Sequence, residues 1–196
     1  MSATRKLLSL FSGCGGMDLG FTGLFFCNEK SVNKTLHPDW VKSEQAGKVL
    51  LASTCFETVF ANDIRPDAKA AWVSYFSHHY KNANERYHLE SIVDLVKQAR
   101  SGEFSFPKNI DVVTGGFPCQ DISINGKMLG INGKRSSLYT YIVEAVKKVH
   151  PKVFVAENVG GLLLKKNSES FKKIMEDFGS LGYNVDCHLY HAEDYG

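Results

Sequence analysis

The sequence predicts a single α/β domain built on a mainly parallel sheet, and three observations carry that expectation. The chain has 196 residues, 43% of them hydrophobic, which is the length of one domain with enough apolar mass for a core. Short runs rich in Val, Ile, Leu and Phe occur at residues 7–11, 58–61, 110–113 and 153–156. Their length and unbroken hydrophobicity suit strands buried on both faces. Between them lie segments with apolar residues at helical spacing, and strands that alternate with helices build a parallel sheet.

The helices follow in order. Pro66 suits the first position of one, which presents Ala68, Ala71, Trp72, Tyr75 and Phe76 on one face. Ile92, Leu95, Val96 and Ala99 mark a second. Leu138, Ile142, Val146 and Val149 mark a third, with Ser136 or Ser137 as its cap. Phe171, Ile174, Met175 and Phe178 mark a fourth, capped near Ser168. Residues 27–56 break this rhythm and read as an insertion, with residues 49–52 extending a short helix.

Composition excludes several classes. Net charge is only +2, so any contact with nucleic acid must come from local clusters of Lys and Arg. The five cysteines, Cys14, Cys27, Cys55, Cys119 and Cys187, are odd in number and contain no C-x-x-C pair. They fit neither a disulfide framework nor a metal site, and they suit a reducing cytoplasm. The apolar run after Arg5 and Lys6 is too short for a signal peptide and is broken at Gly13. No stretch reaches membrane-spanning length.

Four motifs fall at the carboxyl ends of the expected strands, where ligands bind in such sheets. Phe11-Ser12-Gly13-Cys14-Gly15-Gly16 follows the first strand. Its glycines permit a sharp turn and close approach of a ligand, although a plain strand-to-helix turn has the same look. It is not the G-x-G-x-x-G dinucleotide fingerprint, because Asp18 stands at the third glycine position. Asn62-Asp63-Ile64 ends the second strand; the acid suits ribose hydroxyls and Ile64 the face of a base. Taken alone, Asp63 reads as a helix cap before Pro66.

Gly115-Gly116-Phe117-Pro118-Cys119-Gln120 follows the third strand. Pro118 fixes its own φ and restricts Phe117, so Cys119 is held in place, where free N–H groups lower a thiol pKa. Glu157-Asn158-Val159 ends the fourth strand. A carboxylate reached through four apolar residues is expected to be deep and raised in pKa, unless it turns out to water.

In this order, F-S-G-C-G-G, N-D-I, G-G-F-P-C-Q-D-I-S and E-N-V resemble the cytosine-5 DNA methyltransferases, over nearly the whole chain. G-F-P-C-Q-D-I-S-I-N-G-K resembles the modification enzymes of bacterial restriction systems. The resemblance implies a Rossmann-like fold that uses S-adenosylmethionine and releases S-adenosylhomocysteine, with no metal. It places Phe11, Gly13, Cys14 and Gly16 against the methionine and adenosine, Asp63 on the ribose and Ile64 on the adenine. The third cofactor contact falls near Glu90-Ser91-Ile92, where Ser91 and Ile92 stand and Ser91 replaces the family's acid. Catalytic roles fall on Cys119, Glu157, Pro118 and Asn158, with Pro118 also near the cofactor. Cys119 would attack carbon 6 of a cytosine flipped out of the duplex, and Glu157 would hold ring nitrogen 3 and the exocyclic amine.

The segment 123–137 contains Gly126, Gly130 and Gly133. It suits a mobile loop that closes on DNA, or a solvated surface loop. Double-stranded DNA is the implied partner, contacted by Gln120, Ser123, Lys127, Lys134 and Arg135.

The chain reads as residues 1–196 of a catalytic domain, without a target-recognition domain. Residues 192–196 resemble the lead-in to a Q-x-R-x-R motif that does not follow, so a C-terminal polypeptide supplying the rest of the enzyme is a second implied partner. The sheet is expected to be incomplete at its C-terminal end, with a strand near 183–190 and an unpaired apolar edge at 153–156. The expected setting is the bacterial cytoplasm, at the nucleoid. An RNA cytosine-5 methyltransferase, sharing these motifs, and an inactive cofactor-binding relic are the alternatives. A nicotinamide-binding domain is disfavoured by the failed fingerprint.

Overall fold

The computed structural model describes residues 3–118 and 138–191. Eight strands run in chain order: β1 (Arg5–Leu10), β2 (Phe26–Asn28), β3 (Val41–Gln45), β4 (Lys48–Leu51), β5 (Phe56–Asp63), β6 (Tyr87–Leu89), β7 (Val112–Gly116) and β8 (Val153–Glu157). The helices are α1 (Gly16–Thr22), α2 (Pro66–Phe76), α3 (Ala83–Arg86), α4 (Ile92–Ser101), α5 (Leu138–Val149) and α6 (Ser168–Gly179). The main sheet has the order β6-β5-β1-β7-β8, and every pairing in it is parallel. The α/β architecture expected from the sequence is therefore present, with β1 at the centre.

Alternation along β1 shows how the layers form. Leu8 and Leu10 point into one core with Phe60, Val113, Ile142, Val146 and Phe178, beneath α4, α5 and α6. Ser9 points the other way, toward Asp18 of α1. On that second face Trp72, Phe76, Tyr80, Ala83 and Tyr87 pack together. Trp72 is fully buried and stacks on Phe76 at 4.4 Å between ring centroids. Burial of side chains this large is the main stabilising term on each face, worth about 1.5–3 kcal/mol per residue.

Each of the four helices expected between the main-sheet strands is present. Helix α2 begins at Pro66 and buries Ala68, Trp72 and Phe76, one residue per turn, while Ala71 of the expected face is exposed. In α4, Ser91 caps the start by accepting from the Val93 amide, and Gly102 closes the end at φ 85°. Helix α6 starts at Ser168, but the residue before it, Asn167, makes no capping bond. Instead its side-chain amide donates to the Gly161 carbonyl. The cap expected at Ser136 or Ser137 lies outside the described residues.

Two differences come from short-range geometry. Residues 49–52, read as helical, lie mostly in β4, part of an antiparallel sheet of order β2-β4-β3. The cause is a two-residue turn. Gln45 pairs with Lys48, and Ala46 and Gly47 both have positive φ (49° and 74°), the geometry of a tight hairpin. The second difference is β6, whose three residues are too few to show a period in the sequence.

At the other end, β8 pairs only with β7 among the described residues, so it forms the sheet edge that the sequence led us to expect. Residues 183–191 contain no strand, contrary to expectation. A strand needs a paired strand for its backbone groups, and no strand among the described residues pairs with this segment. It is held by Tyr183, whose hydroxyl donates to the Pro151 carbonyl and whose ring meets Phe154 edge-on. No helix among the described residues is long and apolar enough to cross a membrane.

Candidate active site

Parallel pairing brings the carboxyl ends of β6, β5, β1, β7 and β8 to one side of the sheet. The first motif leaves β1 there in a sharply turned loop. Phe11, Gly13 and Gly15 take φ of 52°, 53° and 94°, in the region that favours glycine. Gly15 is needed twice, since a Cβ there would also meet Trp72 Cδ1 at 2.6 Å and Phe76 Cε2 at 2.7 Å. A Cβ on Gly13 or Gly16 would meet nothing within 4 Å, so the outer surface of the loop is open. Cys14 at its tip is exposed.

The loop is fixed by its neighbours. The Ser12 amide donates to the Asn62 carbonyl (2.8 Å), and the Gly15 amide to the Ser12 carbonyl (2.9 Å). The Gly13 amide donates to Asp63 Oδ2 (3.0 Å), while its carbonyl accepts from the Tyr87 hydroxyl (2.9 Å). Burial, with the negative charge of Asp63 next in weight, pushes the Tyr87 phenol far above its usual range, which keeps it a donor.

Asp63 is not the cap of α2. That position is Arg65, whose side chain makes no capping bond. Asp63 Oδ1 accepts from the Arg65 amide at 3.0 Å and its other oxygen holds the glycine loop, so the carboxylate joins two strand ends. Ile64 beside it is 68% exposed, an apolar side chain left at the mouth of the site. Asn62, buried, donates through Nδ2 to the carbonyls of His88 (3.0 Å) and Glu90 (2.7 Å) and so ties the end of β6 to the same place. Ser91 follows there with its hydroxyl engaged in capping α4, and Ile92 is buried in the core.

At the far side, β7 ends in two glycines with separate tasks. A Cβ on Gly115 would meet Ile142 Cδ1 at 2.8 Å, so its absence lets α5 close on the strand. A Cβ on Gly116 would stand 3.0 Å from Glu157 Oε2, so its absence leaves room for that carboxylate. Asn158 Nδ2 donates to the Phe117 carbonyl at 2.9 Å, and Asn158 Oδ1 accepts from the Val159 amide. Residues 117–118 and 157–158 thus lie side by side. Phe117 is buried and Pro118 exposed. Glu157 is exposed as well, so the depth inferred from its apolar approach is not there. The reason is that, among the described residues, no strand lies beside β8 on its outer side, which the sequence pattern of β8 alone does not reveal.

Cys119, Gln120, Ser123, Lys127, Lys134 and Arg135 lie outside the described residues. Among the described residues, no group of three or more His, Cys, Asp or Glu side chains could hold a metal ion. Sequence reasoning missed Tyr87 and the side chain of Asn62 as braces of this site. It noticed Asp18 only as a departure from a fingerprint. Tyr87 stands 74 residues from Gly13 and no local signal links them.

Comparison with known proteins agrees with this layout. The family model for C-5 cytosine-specific DNA methylases matches residues 5–196. The type II methyltransferase M.BspRI of Lysinibacillus sphaericus is 34% identical over 193 residues, which cover 97% of this chain and 41% of that protein. M.FnuDI of Fusobacterium nucleatum is 36% identical over 191 residues, covering 97% and 43%. A prophage-encoded protein of E. coli, assigned as a DNA modification methyltransferase, superposes with a TM-score of 0.54 at 22% identity, over 90% of this chain and 38% of that one. The chain spans about two fifths of the length of these relatives. With a family model that runs almost from end to end, this chain belongs to the C-5 cytosine-specific DNA methylase family.

Proposed function

We propose that the full-length protein transfers a methyl group from S-adenosylmethionine to carbon 5 of cytosine in double-stranded DNA, as a modification enzyme of a restriction system. The observation that carries this reading is the Asn158–Phe117 hydrogen bond at 2.9 Å. It sets the Pro118 strand end beside Glu157, on the side of the sheet where the glycine loop and Asp63 also lie.

The residues present suit the cofactor. The open outer surface at Gly13 and Gly16 admits a ligand against the backbone, the Asp63 carboxylate keeps lone pairs for ribose hydroxyls, and exposed Ile64 offers an apolar face to adenine. Phe11 and Cys14 complete the methionine side. When bound, S-adenosylmethionine supplies an electrophilic methyl group.

This chain's own residues prepare the base. Carbon 5 of cytosine is too weak a nucleophile in the intact aromatic ring. The Cys119 thiolate adds to carbon 6, forming a sulfur–carbon bond and shifting electrons onto carbon 5. Glu157 hydrogen-bonds ring nitrogen 3 and the exocyclic amine, where charge changes during the addition. Once carbon 5 carries the methyl group, loss of its proton and expulsion of the Cys119 thiolate restore the ring. Asn158 holds the loop that leads to Cys119. The base must leave the duplex to be reached, and Gln120, Ser123, Lys127, Lys134 and Arg135 are proposed to hold the flipped nucleotide and its flanking phosphates. A C-terminal polypeptide is proposed to supply target recognition.

The test is methyl transfer from tritiated S-adenosylmethionine by the full-length protein, to mixed double-stranded DNA and, in parallel, to transfer-RNA transcripts. Label at cytosine carbon 5 in DNA alone is the expected result. Label in RNA, or none in DNA, overturns the proposal. Within the same reading, Asp63→Ala is expected to weaken S-adenosylmethionine binding by about 1.5–3 kcal/mol, the range for hydrogen bonds to a charged group. Calorimetry on the two proteins checks this, and unchanged affinity would refute the ribose role.

A further inference from the structure

Asp18 is a carboxylate in an unusual position. It is fully buried in the first turn of α1, and among the described residues no Lys, Arg or His forms an ion pair with it. An isolated buried charge is unfavourable. Three hydroxyl groups from three different elements donate to Asp18, and the Trp72 indole N–H also acts on it. Ser12 of the glycine loop donates to Oδ2 at 2.6 Å, Ser9 of β1 donates to Oδ2 at 3.1 Å, and Thr58 of β5 donates to Oδ1 at 3.2 Å. Burial pushes its carboxyl above the usual range, and the hydroxyls of Ser12, Ser9 and Thr58 pull it back.

The shortest of the three bonds goes to the loop. Ser12 is also the residue whose amide is tied to β5, and whose carbonyl closes the turn to Gly15. Of its polar groups only the side chain reaches inward to α1. Asp18 thus fixes the point about which the loop turns, while Asp63 and Tyr87 fix Gly13 from the other side.

We infer that Asp18 is a positioning residue for the cofactor: acting through the Ser12 hydroxyl, it holds the 11–16 turn in the shape that receives S-adenosylmethionine. This rests on the cofactor reading above. It assigns a use to a residue whose only sequence-level meaning was a failed fingerprint. A preformed loop does not have to be ordered when the ligand arrives, and that saved entropy appears as affinity.

The test is a double-mutant cycle in the full-length protein, read by calorimetry with S-adenosylhomocysteine and by thermal melting. Asp18→Asn keeps the shape but replaces one accepting carboxyl oxygen with an NH2 group that cannot accept a hydroxyl hydrogen. It is expected to weaken binding about tenfold, and Ser12→Ala to do the same. In the Ser12→Ala background, Asp18→Asn is expected to add less than about twofold, because its link to the loop is already gone. A purely structural role through Ser9 and Thr58 would instead shift the melting temperature equally in both backgrounds and leave affinity alone. Unchanged affinity in Asp18→Asn, or an equal loss in both backgrounds, overturns the inference. Should Asp18→Asn not fold, Ser12→Thr decides. Retained affinity there, beside the loss in Ser12→Ala, supports the hydroxyl link, and equal affinity in the two overturns it. Absence of binding by the wild-type protein would instead overturn the cofactor reading, and this inference with it.

Discussion

Cys119→Ser is expected to abolish methyl transfer while leaving S-adenosylmethionine affinity within about twofold of wild type. The loss in turnover should reach at least about 10³-fold, the order met when the nucleophile of a covalent mechanism is removed. Serine has the same shape but a far higher pKa, so the attacking anion is scarce at neutral pH. Affinity is expected to survive because the cofactor is proposed to lie mainly against the ends of β1 and β5. The elements that set those ends, the bonds among Ser12, Gly13, Asn62, Asp63 and Tyr87, contain no atom of Cys119. The check is trapping on DNA containing 5-fluorocytosine, with calorimetry in parallel. Fluorine cannot leave carbon 5 as a proton does, so an enzyme that has added to carbon 6 remains bonded to the base. A covalent adduct formed by Cys119→Ser would show that another group attacks.

Residues 1–196, made as a separate polypeptide, are expected to show no methyl transfer and to self-associate. Among the described residues the main sheet ends at β8, where Val153 and Val155 are 52% and 38% exposed. Val159, Leu163, Leu164 and Leu189 are exposed as well. A strand edge with free backbone groups and apolar side chains invites pairing with another chain. The chain also spans only about two fifths of the length of its relatives, and its charge of +2 supports only weak, salt-sensitive contact with phosphates. Weak cofactor binding is the most that is expected from a self-associating chain with an incomplete sheet, and what remains is carried by the glycine loop and Asp63 on β1 and β5. A tritium-transfer assay on mixed genomic DNA, with and without an added C-terminal polypeptide, tests this beside light scattering. Turnover by a monodisperse preparation of residues 1–196 alone would refute it.

These two expectations differ in origin. The first was legible in the sequence, because Pro118-Cys119 after an apolar strand is a local pattern with a chemical meaning. The second came from the resemblance, which implied an incomplete sheet, and the sheet order then put the open edge at β8. By their own pattern residues 153–156 look like any other buried strand; the resemblance implied that they form an edge, and among the described residues β8 pairs with β7 alone. The same fact removed the expected burial of Glu157. An apolar approach along one strand says nothing about whether a neighbour covers it.

What the sequence determined by itself was the alternation of strands and helices and the placement of the motifs. Continuous apolar runs, Pro66 at a helix start and glycines before α1 are short-range preferences, and they act before any tertiary contact forms. Once strands are parallel, their carboxyl ends must share one side, so the meeting of the motifs followed from the alternation. The tertiary structure decided which groups support that meeting. Asp63 holds a glycine amide 50 residues away, Tyr87 holds the matching carbonyl 74 residues away, and Asp18 collects hydroxyls from three elements. A hydrogen bond across such distances depends on where packing brings two backbones within about 3 Å, and no periodicity along the chain records that.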